Sequence, residues 1–424
     1  PLMFFGAIAG GFVPIPTSEM LTAAEATAIL IDSTAAAVLH DGHTTLPDGN
    51  ALLLGPKELT ALKSSTPGSY AATAADDPAF LIYTSGTSGT PKGVLHAQRT
   101  AIGRAPMYQG WYGISASDRL LHAGAFNWTY TLGVGLMDPW ANGATSLVYD
   151  GPRDPEVWPE LMEASGASLF AAVPSLYRRI LKYCEITPQS FPKLRHGLTA
   201  GEALPAALHG DWQEQTGRPL FEALGMSEIS TYLSSGPECP TRPGSPGKPQ
   251  AGRKVAILSE TGDADQQADV EETGLLAVHQ SETGLMLGYW NRPEETAAAF
   301  RHGWFLTGDR ARQDADGYYW YEGRADDLMN AFGYRVAPEE VERAINSHPK
   351  VAEVAVTAVP VRAGVSLVTA FVVATEQTWH DETALAEWAN ERLAEYKRPK
   401  VFRFVDVLPR TPSGKVRRKA LEHL

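Results

Sequence analysis

The segment "LIYTSGTSGTPKGVLH", residues 81–96, joins a short apolar run to a series of hydroxyl-bearing residues, glycines and one lysine. The apolar run predicts a buried strand that ends at Tyr83. We expect residues 84–93, which follow this strand, to form a loop. The loop is expected to bind the β- and γ-phosphate oxygens of a nucleotide, because hydroxyls, unhindered backbone N–H groups and one ammonium group suit these oxygens. A flexible surface loop or a Ser/Thr-rich linker is the alternative interpretation.

The spacing in this loop differs from that of P-loop kinases and GTPases. Their motif, Gly-x-x-x-x-Gly-Lys, requires glycine directly before the lysine, whereas Pro91 precedes Lys92 in this sequence. A P-loop kinase or GTPase is therefore disfavoured, and the expected ligand is still a nucleotide phosphate.

Short β-rich runs alternate with helical patterns on both sides of the loop. Examples are "ASLFAAVP" before "SLYRRILKYC" and "LRHGLTAG" before "LPAALHGDWQEQ". This alternation predicts an α/β architecture with largely buried sheets. From about residue 236 the chain is rich in Pro and Gly, and the later runs "GLLAVHQSETGLMLGYW" and "GYYWYEGR" predict a smaller antiparallel or barrel-like β unit.

A separate compact pattern follows "GRADDLMNAFGYR", with a helix that starts at Pro338, two strands and a second helix. It predicts a small α+β domain. The polar segment 324–327 separates it from the β unit, so we place the domains at 1–325 and 326–424. The chain starts within an apolar pattern and without an initiating Met, and we expect the N-terminus of the large domain to be truncated.

Composition narrows the function class. The chain has 424 residues with 44% hydrophobic and 20% charged residues, which is typical of a globular protein of two or three domains. A net charge of -13 disfavours nucleic-acid binding, and no stretch reaches the roughly 20 apolar residues of a membrane span. Two cysteines, Cys184 and Cys239, favour a reducing compartment, and we expect the cytoplasm. The histidines lack metal-ligand spacing, and no Gly-x-Ser-x-Gly hydrolase motif occurs.

The motif "YTSGTSGTPKG" resembles the phosphate loop of the ANL superfamily of adenylating enzymes, which comprises acyl-CoA synthetases, peptide-synthetase adenylation domains and beetle-type luciferases. Further similar motifs follow in order: "TAGEALP" (199–205), "LGMSE" (224–228), "GLMLGYWNRPEET" (284–296), "GWFLTGD" (303–309), "YYWYEGRADDLMNAFGYRVAPEEVE" (318–342) and "YKRPKVFRFVDVLPRTPSGKVRR" (396–418). The resemblance covers essentially the whole chain. It implies a large α/β N-terminal domain with a β-barrel-like subdomain, followed by a small mobile α+β C-terminal domain.

The resemblance also implies roles for the phosphate loop. In adenylation a carboxylate attacks the α-phosphate of ATP, so the site must neutralise several negative charges. Lys92 would act on the phosphates, and the pyrophosphate part would be held by Thr84, Ser85, Gly86, Thr87, Ser88, Gly89 and Thr90. Lys415, in "PSGKV", would bridge the acid's carboxylate and the α-phosphate; taken alone, it reads as a surface lysine.

Glu228 matches the acidic residue with which the family holds Mg²⁺, and we expect Thr84 to assist it. A helix-capping carboxylate is the alternative interpretation of Glu228. Gly201 and Glu202 match part of the ATP site. Leu224 departs from the family, which commonly has Tyr against adenine at this position, so adenine packing is the part of the site that the sequence supports least.

Asp309 in "FLTGD" matches the carboxylate that accepts both ribose hydroxyls, and Arg324 matches an arginine that contacts ribose and phosphate. The alternatives are an ordinary turn Asp and a surface ion pair. Asp326 matches the hinge about which the small domain rotates between the two half-reactions.

The same resemblance implies which residues contact CoA and the acid. Gly333, Tyr334 and Arg335 match the segment that lines the thiol tunnel, with Gly333 as an ordinary turn residue in the alternative interpretation. The side chains expected around the acyl group are His122, Trp128, Gly225, Met226 and Ile229, although aromatic residues are more often core.

These observations predict an AMP-forming carboxylic acid:CoA ligase that uses ATP, Mg²⁺, CoA and a small-molecule carboxylic acid. The segment "GVGLMDPWANGATSLVYDG" is similar in sequence to acetyl, medium-chain and benzoate-type ligases. Two alternatives stay open: an adenylation enzyme that loads a carrier protein, and a non-catalytic nucleotide-binding paralogue. The sequence identifies neither the acid nor the oligomeric state, a homodimer included.

Overall fold

The structure is a computed structural model, and it describes residues 1–84, 92–260, 265–325, 329–331, 334–336, 338–362, 365–376, 378–393, 397–410, 414 and 416–424. Two compact units make up the chain: Pro1–Val255 with Val278–Phe305, and Ala256–Ala277 with Leu306–Leu424. The predicted domain boundary at 325/326 stays a prediction, since residues 326–328 lie outside the described part of the chain.

The strands in chain order are β1 (Ala37–Leu39), β2 (Leu52–Leu54), β3 (Pro78–Thr84), β4 (Lys92–Ala97), β5 (Arg119–His122), β6 (Thr145–Leu147), β7 (Leu169–Ala172), β8 (His196–Ala200), β9 (Leu220–Met226), β10 (Ser230–Ser234), β11 (Lys248–Pro249), β12 (Val255–Leu258), β13 (Gly274–His279), β14 (Gly288–Tyr289), β15 (Phe300–Arg301), β16 (Trp304–Gln313), β17 (Tyr319–Arg324), β18 (Met329–Ala331), β19 (Tyr334–Val336), β20 (Val351–Arg362), β21 (Val365–Ala374) and β22 (Val401–Phe404).

The α-helices in chain order are α1 (Leu2–Ala9), α2 (Ala23–Ser33), α3 (Pro56–Lys63), α4 (Thr100–Gly103), α5 (Thr129–Leu132), α6 (Asp138–Ala141), α7 (Val157–Ser165), α8 (Pro174–Tyr183), α9 (Ala206–Thr216), α10 (Pro293–Ala298), α11 (Pro338–Asn346), α12 (Glu382–Arg392) and α13 (Arg418–Leu421). Within the described residues, π-helical turns occur at Tyr108–Tyr112 and Gly133–Met137. No helix in the described ranges is both long and apolar enough to cross a membrane.

A seven-stranded sheet with the order β11-β10-β9-β8-β7-β5-β6 forms the centre of the first unit. Neighbours from β6 to β9 are parallel, whereas β10 and β11 are antiparallel additions at one edge. Strands β7 and β8 are buried along their whole length. Burial on both faces explains the apolar sequence of β7, whereas β8 also buries the polar residues His196 and Thr199. Helices α7, α8 and α9 contribute Trp158, Tyr177 and Trp212 to the core on one face. The predicted α/β fold is confirmed.

The segment that opened the sequence analysis forms an antiparallel hairpin of β3 and β4, with β14 as a third strand. Residues 84–93 were expected to form a loop. This prediction is wrong for Thr84, which ends β3, and for Lys92 and Gly93, which belong to β4. The carbonyl oxygen of Gly93 accepts a hydrogen bond from the Trp290 N–H at 2.8 Å. A side chain at 93 would lie 3.1–3.3 Å from Leu81, Trp290 and Tyr83, so Gly93 is closely packed against these three side chains.

The second unit contains a long antiparallel pair, β20 and β21, with β22 parallel to β21. Helices α11 and α12 bury Val341, Ile345 and Leu385 in the core with residues of this sheet. The helix predicted to start at Pro338 and the two following strands are thereby confirmed. A further sheet has the order β12-β13-β16-β15, with β17 paired to β16, and it corresponds to the smaller β unit expected from the sequence.

Candidate active site

The two ends of the predicted phosphate loop face each other across the hairpin. Thr84 ends β3, Lys92 begins β4, and the two residues are direct partners in the antiparallel register. The Thr84 hydroxyl donates a hydrogen bond to the Lys92 carbonyl oxygen at 3.3 Å. The residues between them lie outside the described ranges, so the phosphate-binding roles stay predictions for Ser85, Gly86, Thr87, Ser88, Gly89 and Thr90.

The Lys92 ammonium group has two neighbours from the segment 289–295. Its Nζ lies 2.6 Å from Oε2 of Glu295 on α10 and 4.2 Å from the centroid of the Tyr289 ring. The hydrogen bond from Lys92 lowers the pKa of the Glu295 carboxyl group. Both side chains are partly exposed, at 28% and 46%, and such pairs contribute less than about 1 kcal/mol. Lys92 can therefore exchange this partner for a phosphate oxygen at small cost.

Glu228 lies in the short turn between β9 and β10. Its carboxylate Oε1 accepts a hydrogen bond from the Tyr289 hydroxyl at 2.8 Å, and its carbonyl oxygen accepts one from the Met286 N–H at 2.8 Å. The helix-capping interpretation is wrong because this turn joins two strands. The preceding carbonyl, of Ser227, accepts a 2.9 Å hydrogen bond from His96 Nε2, and burial lowers the pKa of His96 to about 3, so the ring is neutral.

The chemistry of Glu228 fits the predicted magnesium ion. In the part of the chain that the structure describes, no three His, Cys, Asp or Glu side chains are grouped to hold a metal ion. Mg²⁺ is usually bound by one or two carboxylates together with substrate phosphates and water, and it does not require an all-protein cage. A single oriented carboxylate such as Glu228, whose Oε1 accepts the Tyr289 hydroxyl hydrogen bond, is the donor that such an ion needs.

A buried network that was not predicted from the sequence supports the β9–β10 turn. Ser230 has a left-handed backbone (φ 75°), and its hydroxyl accepts a 2.8 Å hydrogen bond from Arg104 Nη1. Arg104 also donates to both oxygens of Asp138, at 2.6 and 2.7 Å, and Tyr112 donates to the same carboxylate at 2.7 Å. A side chain at Gly133 would overlap the guanidinium group. Residues so far apart in sequence carry no local signal that links them.

The predicted ATP residues Gly201 and Glu202 follow β8, and Gly201 has a positive φ of 94°. Glu222 of β9 anchors this loop, because its Oε1 accepts a hydrogen bond from the Leu204 N–H at 2.9 Å. Burial raises the pKa of Glu222 to about 7. Glu222 was not predicted as a functional residue, although a carboxylate within a buried strand is an unusual feature that marks it in the sequence.

Two of the expected acyl-pocket side chains contact a common aromatic residue. Tyr130 lies edge-on to Trp128, with ring centroids 5.3 Å apart, and edge-on to His122 at 4.8 Å. A side chain at Gly201 would lie 3.2 Å from the Trp128 ring. Burial lowers the pKa of His122 to about 3, so His122 is neutral, and its Nδ1 accepts a hydrogen bond from the Gly124 N–H at 2.8 Å.

The remaining acyl-pocket candidates are Gly225 and Met226 at the end of β9 and Ile229 in the β9–β10 turn, directly after Glu228. A side chain at Gly225 would lie 2.3 Å from the Ser230 carbonyl oxygen, so this position is restricted to glycine. Ile229 is buried. Contact of these residues with an acyl group stays a prediction.

The predicted ribose residues belong to the second unit and form a pair. Asp309 and Arg324 are direct partners in the β16–β17 register, and Arg324 Nη1 lies 3.1 Å from Asp309 Oδ1. The same nitrogen donates to the Thr307 carbonyl oxygen at 3.1 Å. A side chain at Gly308 would lie 2.5 Å from the guanidinium group, so glycine leaves space for the pair. Asp309 thus lies in a paired strand, and the interpretation as an ordinary turn Asp is wrong.

Three predicted residues, Asp326, Gly333 and Lys415, lie outside the described residues, and Tyr334 and Arg335 are described only as backbone positions of β19. Gly414, next to Lys415, accepts a hydrogen bond from Arg410 Nη1 at 2.6 Å. Three residues after Lys415, Arg418 donates to Glu339 at 2.7 Å and to Glu342 at 2.6 Å. The residues on both sides of Lys415 are therefore attached to the second unit.

Comparison with known proteins identifies the family. Residues 1–290 match the family model of the AMP-binding enzymes, and residues 340–415 match that of the AMP-binding enzyme C-terminal domain. The chain belongs to the AMP-binding enzyme family. The resemblance to adenylate-forming enzymes is thereby confirmed, and both matched regions occur in the predicted order.

Relatives within the family are CoA ligases. The chain is 33% identical over 354 residues to 3-hydroxybenzoate–CoA ligase of Aromatoleum sp. (strain CIB), a match that covers 83% of this chain and 67% of the relative. It is 32% identical over 438 residues to benzoate–CoA ligase of Thauera aromatica, covering 99% and 82%. The crystal structure of ATP-bound MatB from Rhodopseudomonas palustris is 27% identical, with a TM-score of 0.89 over 100% of this chain and 85% of that one.

Proposed function

We propose that this protein is an AMP-forming carboxylic acid:CoA ligase. In the first half-reaction, a carboxylate oxygen of the acid attacks the α-phosphorus of ATP and pyrophosphate leaves, which gives an acyl-adenylate. In the second, the CoA sulfur attacks the acyl carbonyl carbon, the bond to AMP breaks, and the thiol proton is released to solvent. The observation that supports this proposal is that Tyr289 contacts both Glu228 and Lys92, the lysine that ends the hydroxyl-rich motif in the sequence.

The residues of the first unit neutralise and orient the phosphates. Lys92 leaves Glu295 and contacts the β- or γ-phosphate, while the hydroxyls from Thr84 onward donate hydrogen bonds to the pyrophosphate part. Glu228 would hold a magnesium ion, which when bound supplies positive charge to the phosphate oxygens. Catalysis then depends mainly on charge stabilisation and alignment of attacking and leaving groups.

The second unit contributes groups for the nucleoside and the reacting carboxylate. Asp309 accepts hydrogen bonds from the ribose hydroxyls. Arg324 contacts ribose and phosphate, and its 3.1 Å contact with Asp309 also orients the Asp309 carboxylate. Lys415 bridges the acid and the α-phosphate during adenylation. Movement about Asp326 then exchanges Lys415 for the segment with Gly333, Tyr334 and Arg335, which contacts CoA.

We further propose that the acid is aromatic. Trp128, Tyr130 and His122 form a cluster of flat rings beside Gly201, and burial keeps His122 uncharged. Such surfaces favour a planar apolar group over a charged or strongly polar chain. Named relatives act on benzoate and 3-hydroxybenzoate, which is consistent with this substrate class.

A panel of acids tests the proposal. Pyrophosphate release is measured with acetate, octanoate, benzoate and 3-hydroxybenzoate, each with and without CoA. Release that depends on both an aromatic acid and CoA supports the ligase. ATP–pyrophosphate exchange without turnover of CoA favours loading of a carrier protein, and nucleotide binding without exchange for any acid contradicts an enzymatic role.

A further inference from the structure

Tyr289 contacts two side chains of opposite charge through different parts of its own side chain. Its hydroxyl donates a hydrogen bond to Glu228 Oε1 at 2.8 Å, and its ring lies under the Lys92 ammonium group at 4.2 Å. We propose that Tyr289 is a positioning residue that holds the metal-binding carboxylate and the phosphate-binding ammonium group in a fixed mutual arrangement. This inference rests on the proposed function, which assigns those roles to Glu228 and Lys92.

The backbone of Tyr289 is fixed from several directions. It pairs with Val94 of β4, and its N–H donates to Thr296 Oγ1 at 2.9 Å. The adjacent Gly288 has a φ of 153°, and a side chain there would lie 2.9 Å from the Thr296 methyl group. Because β14 and β4 belong to one sheet, the ring of Tyr289 keeps its position relative to Lys92 when Lys92 changes partners.

The ring contact with Lys92 and the hydroxyl contact with Glu228 are each compatible with the proposed role of the residue that Tyr289 contacts. A cation over an aromatic face is held without using any of its N–H donors, so all three donors of Lys92 can serve Glu295 or phosphate oxygens. The Tyr289 hydroxyl is a neutral donor, so it orients the Glu228 carboxylate while leaving its negative charge for a cation. An arginine or lysine in place of Tyr289 would instead compete with that cation.

Two substitutions of Tyr289 distinguish the contribution of its hydroxyl from that of its aromatic ring. Tyr289→Phe removes only the hydroxyl, and Tyr289→Leu also removes the aromatic face. Binding of ATP is measured by calorimetry across a magnesium series without acid or CoA, so the readout is equilibrium binding and not turnover. We expect Tyr289→Phe to raise the magnesium concentration for half-maximal enhancement of ATP binding by about tenfold, the scale of a hydrogen bond to a charged group. ATP affinity at saturating magnesium should change less than about twofold. Tyr289→Leu should weaken ATP binding at every magnesium concentration.

Tyr83→Phe is the matched control, because Tyr83 lies on β3 of the same sheet and its hydroxyl also donates to a carboxylate, that of Asp32 in α2, at 2.6 Å. It should leave the magnesium dependence unchanged. Glu228→Gln should shift the magnesium dependence strongly, and adding Tyr289→Phe to it should produce no further shift.

The outcomes distinguish this inference from the proposed function. If Glu228→Gln shifts the magnesium dependence and Tyr289→Phe does not, the positioning role is overturned and the magnesium role of Glu228 stands. An unchanged magnesium dependence in Glu228→Gln contradicts both. Equal shifts in Tyr289→Phe and Tyr83→Phe indicate a general loss of structure and also overturn the positioning role.

Discussion

Lys92 and Glu295 form an ion pair of 2.6 Å between the first residue of β4 and helix α10. If Lys92 contacts the phosphates of ATP, Glu295 competes with ATP for the same ammonium group. Glu295→Gln should therefore lower the dissociation constant of ATP by about two- to fivefold, because a partly exposed pair contributes up to about 1 kcal/mol. Equilibrium binding of ATP measures the effect. Glu294→Gln, at the exposed neighbouring position of α10, is the control and should leave the constant unchanged.

The proposed contact of Asp309 with the ribose predicts that ATP binding depends on the ribose hydroxyls. Asp309→Asn should weaken ATP binding by about tenfold or more, since an ionised acceptor of hydrogen bonds is lost. Binding of 2′,3′-dideoxy-ATP should change little, because that nucleotide lacks the hydroxyl donors. Competition binding of both nucleotides provides the comparison. A similar loss for the two nucleotides would argue that Asp309 acts on something other than the ribose.

Glu222 predicts a pH dependence of stability. Burial raises its pKa from 4.5 to about 7, so the folded protein retains a proton that the unfolded chain has released over this range. Its contribution is fully present below pH 4.5, and the free energy of unfolding falls as pH rises through 7, by up to about 3 kcal/mol. Glu222→Gln keeps an acceptor for the Leu204 N–H and removes the titration.

Urea unfolding of the wild type and of Glu222→Gln at pH 5.5 and pH 8 gives the comparison. The variant should be more stable relative to the wild type at pH 8 than at pH 5.5. Its free energy of unfolding should therefore differ less between the two pH values than that of the wild type. Glu214→Gln, at an exposed position of α9, should follow the wild type. Parallel pH profiles for the wild type and Glu222→Gln would show that Glu222 is already ionised at pH 5.5.

The buried pair of Arg104 and Asp138 predicts a large loss of stability. Their side chains are 4% and 0% exposed, and Arg104→Ala would leave the Asp138 charge buried without its partner. The expected loss in the free energy of unfolding is about 3–5 kcal/mol. Arg153→Ala, which breaks an exposed pair with Glu19 at 3.3 Å, should cost less than about 1 kcal/mol. Denaturant unfolding compares the two, and similar losses would exclude a special contribution of the buried pair.

The sequence predicted well those features that depend on local pattern. Short β-rich runs that alternate with helical patterns predicted buried parallel strands such as β7 and β8, and Pro338 marked the start of α11. The match of ordered motifs predicted the family and singled out Glu228 and Asp309 as candidate ligands.

Features that depend on tertiary contacts could not be predicted in this way. Lys92 was expected in a loop, because glycine and proline nearby favour loops, yet pairing with Thr84 and β14 makes it part of a strand. Tyr289 and Glu295 lie within a quoted motif, but only the fold brings them to Lys92. The Arg104 network joins three segments of the chain, and its members resemble ordinary surface polar residues in the sequence.

The central claim is that this protein forms an acyl-adenylate and converts it to a CoA thioester. Its most direct test is quantification of the products after incubation with ATP, Mg²⁺, CoA and benzoate or 3-hydroxybenzoate. The account predicts equal amounts of AMP, pyrophosphate and aryl-CoA thioester, and none of them with Glu228→Gln above background. Formation of ADP and phosphate in place of AMP and pyrophosphate, or no thioester with any carboxylic acid, would contradict it.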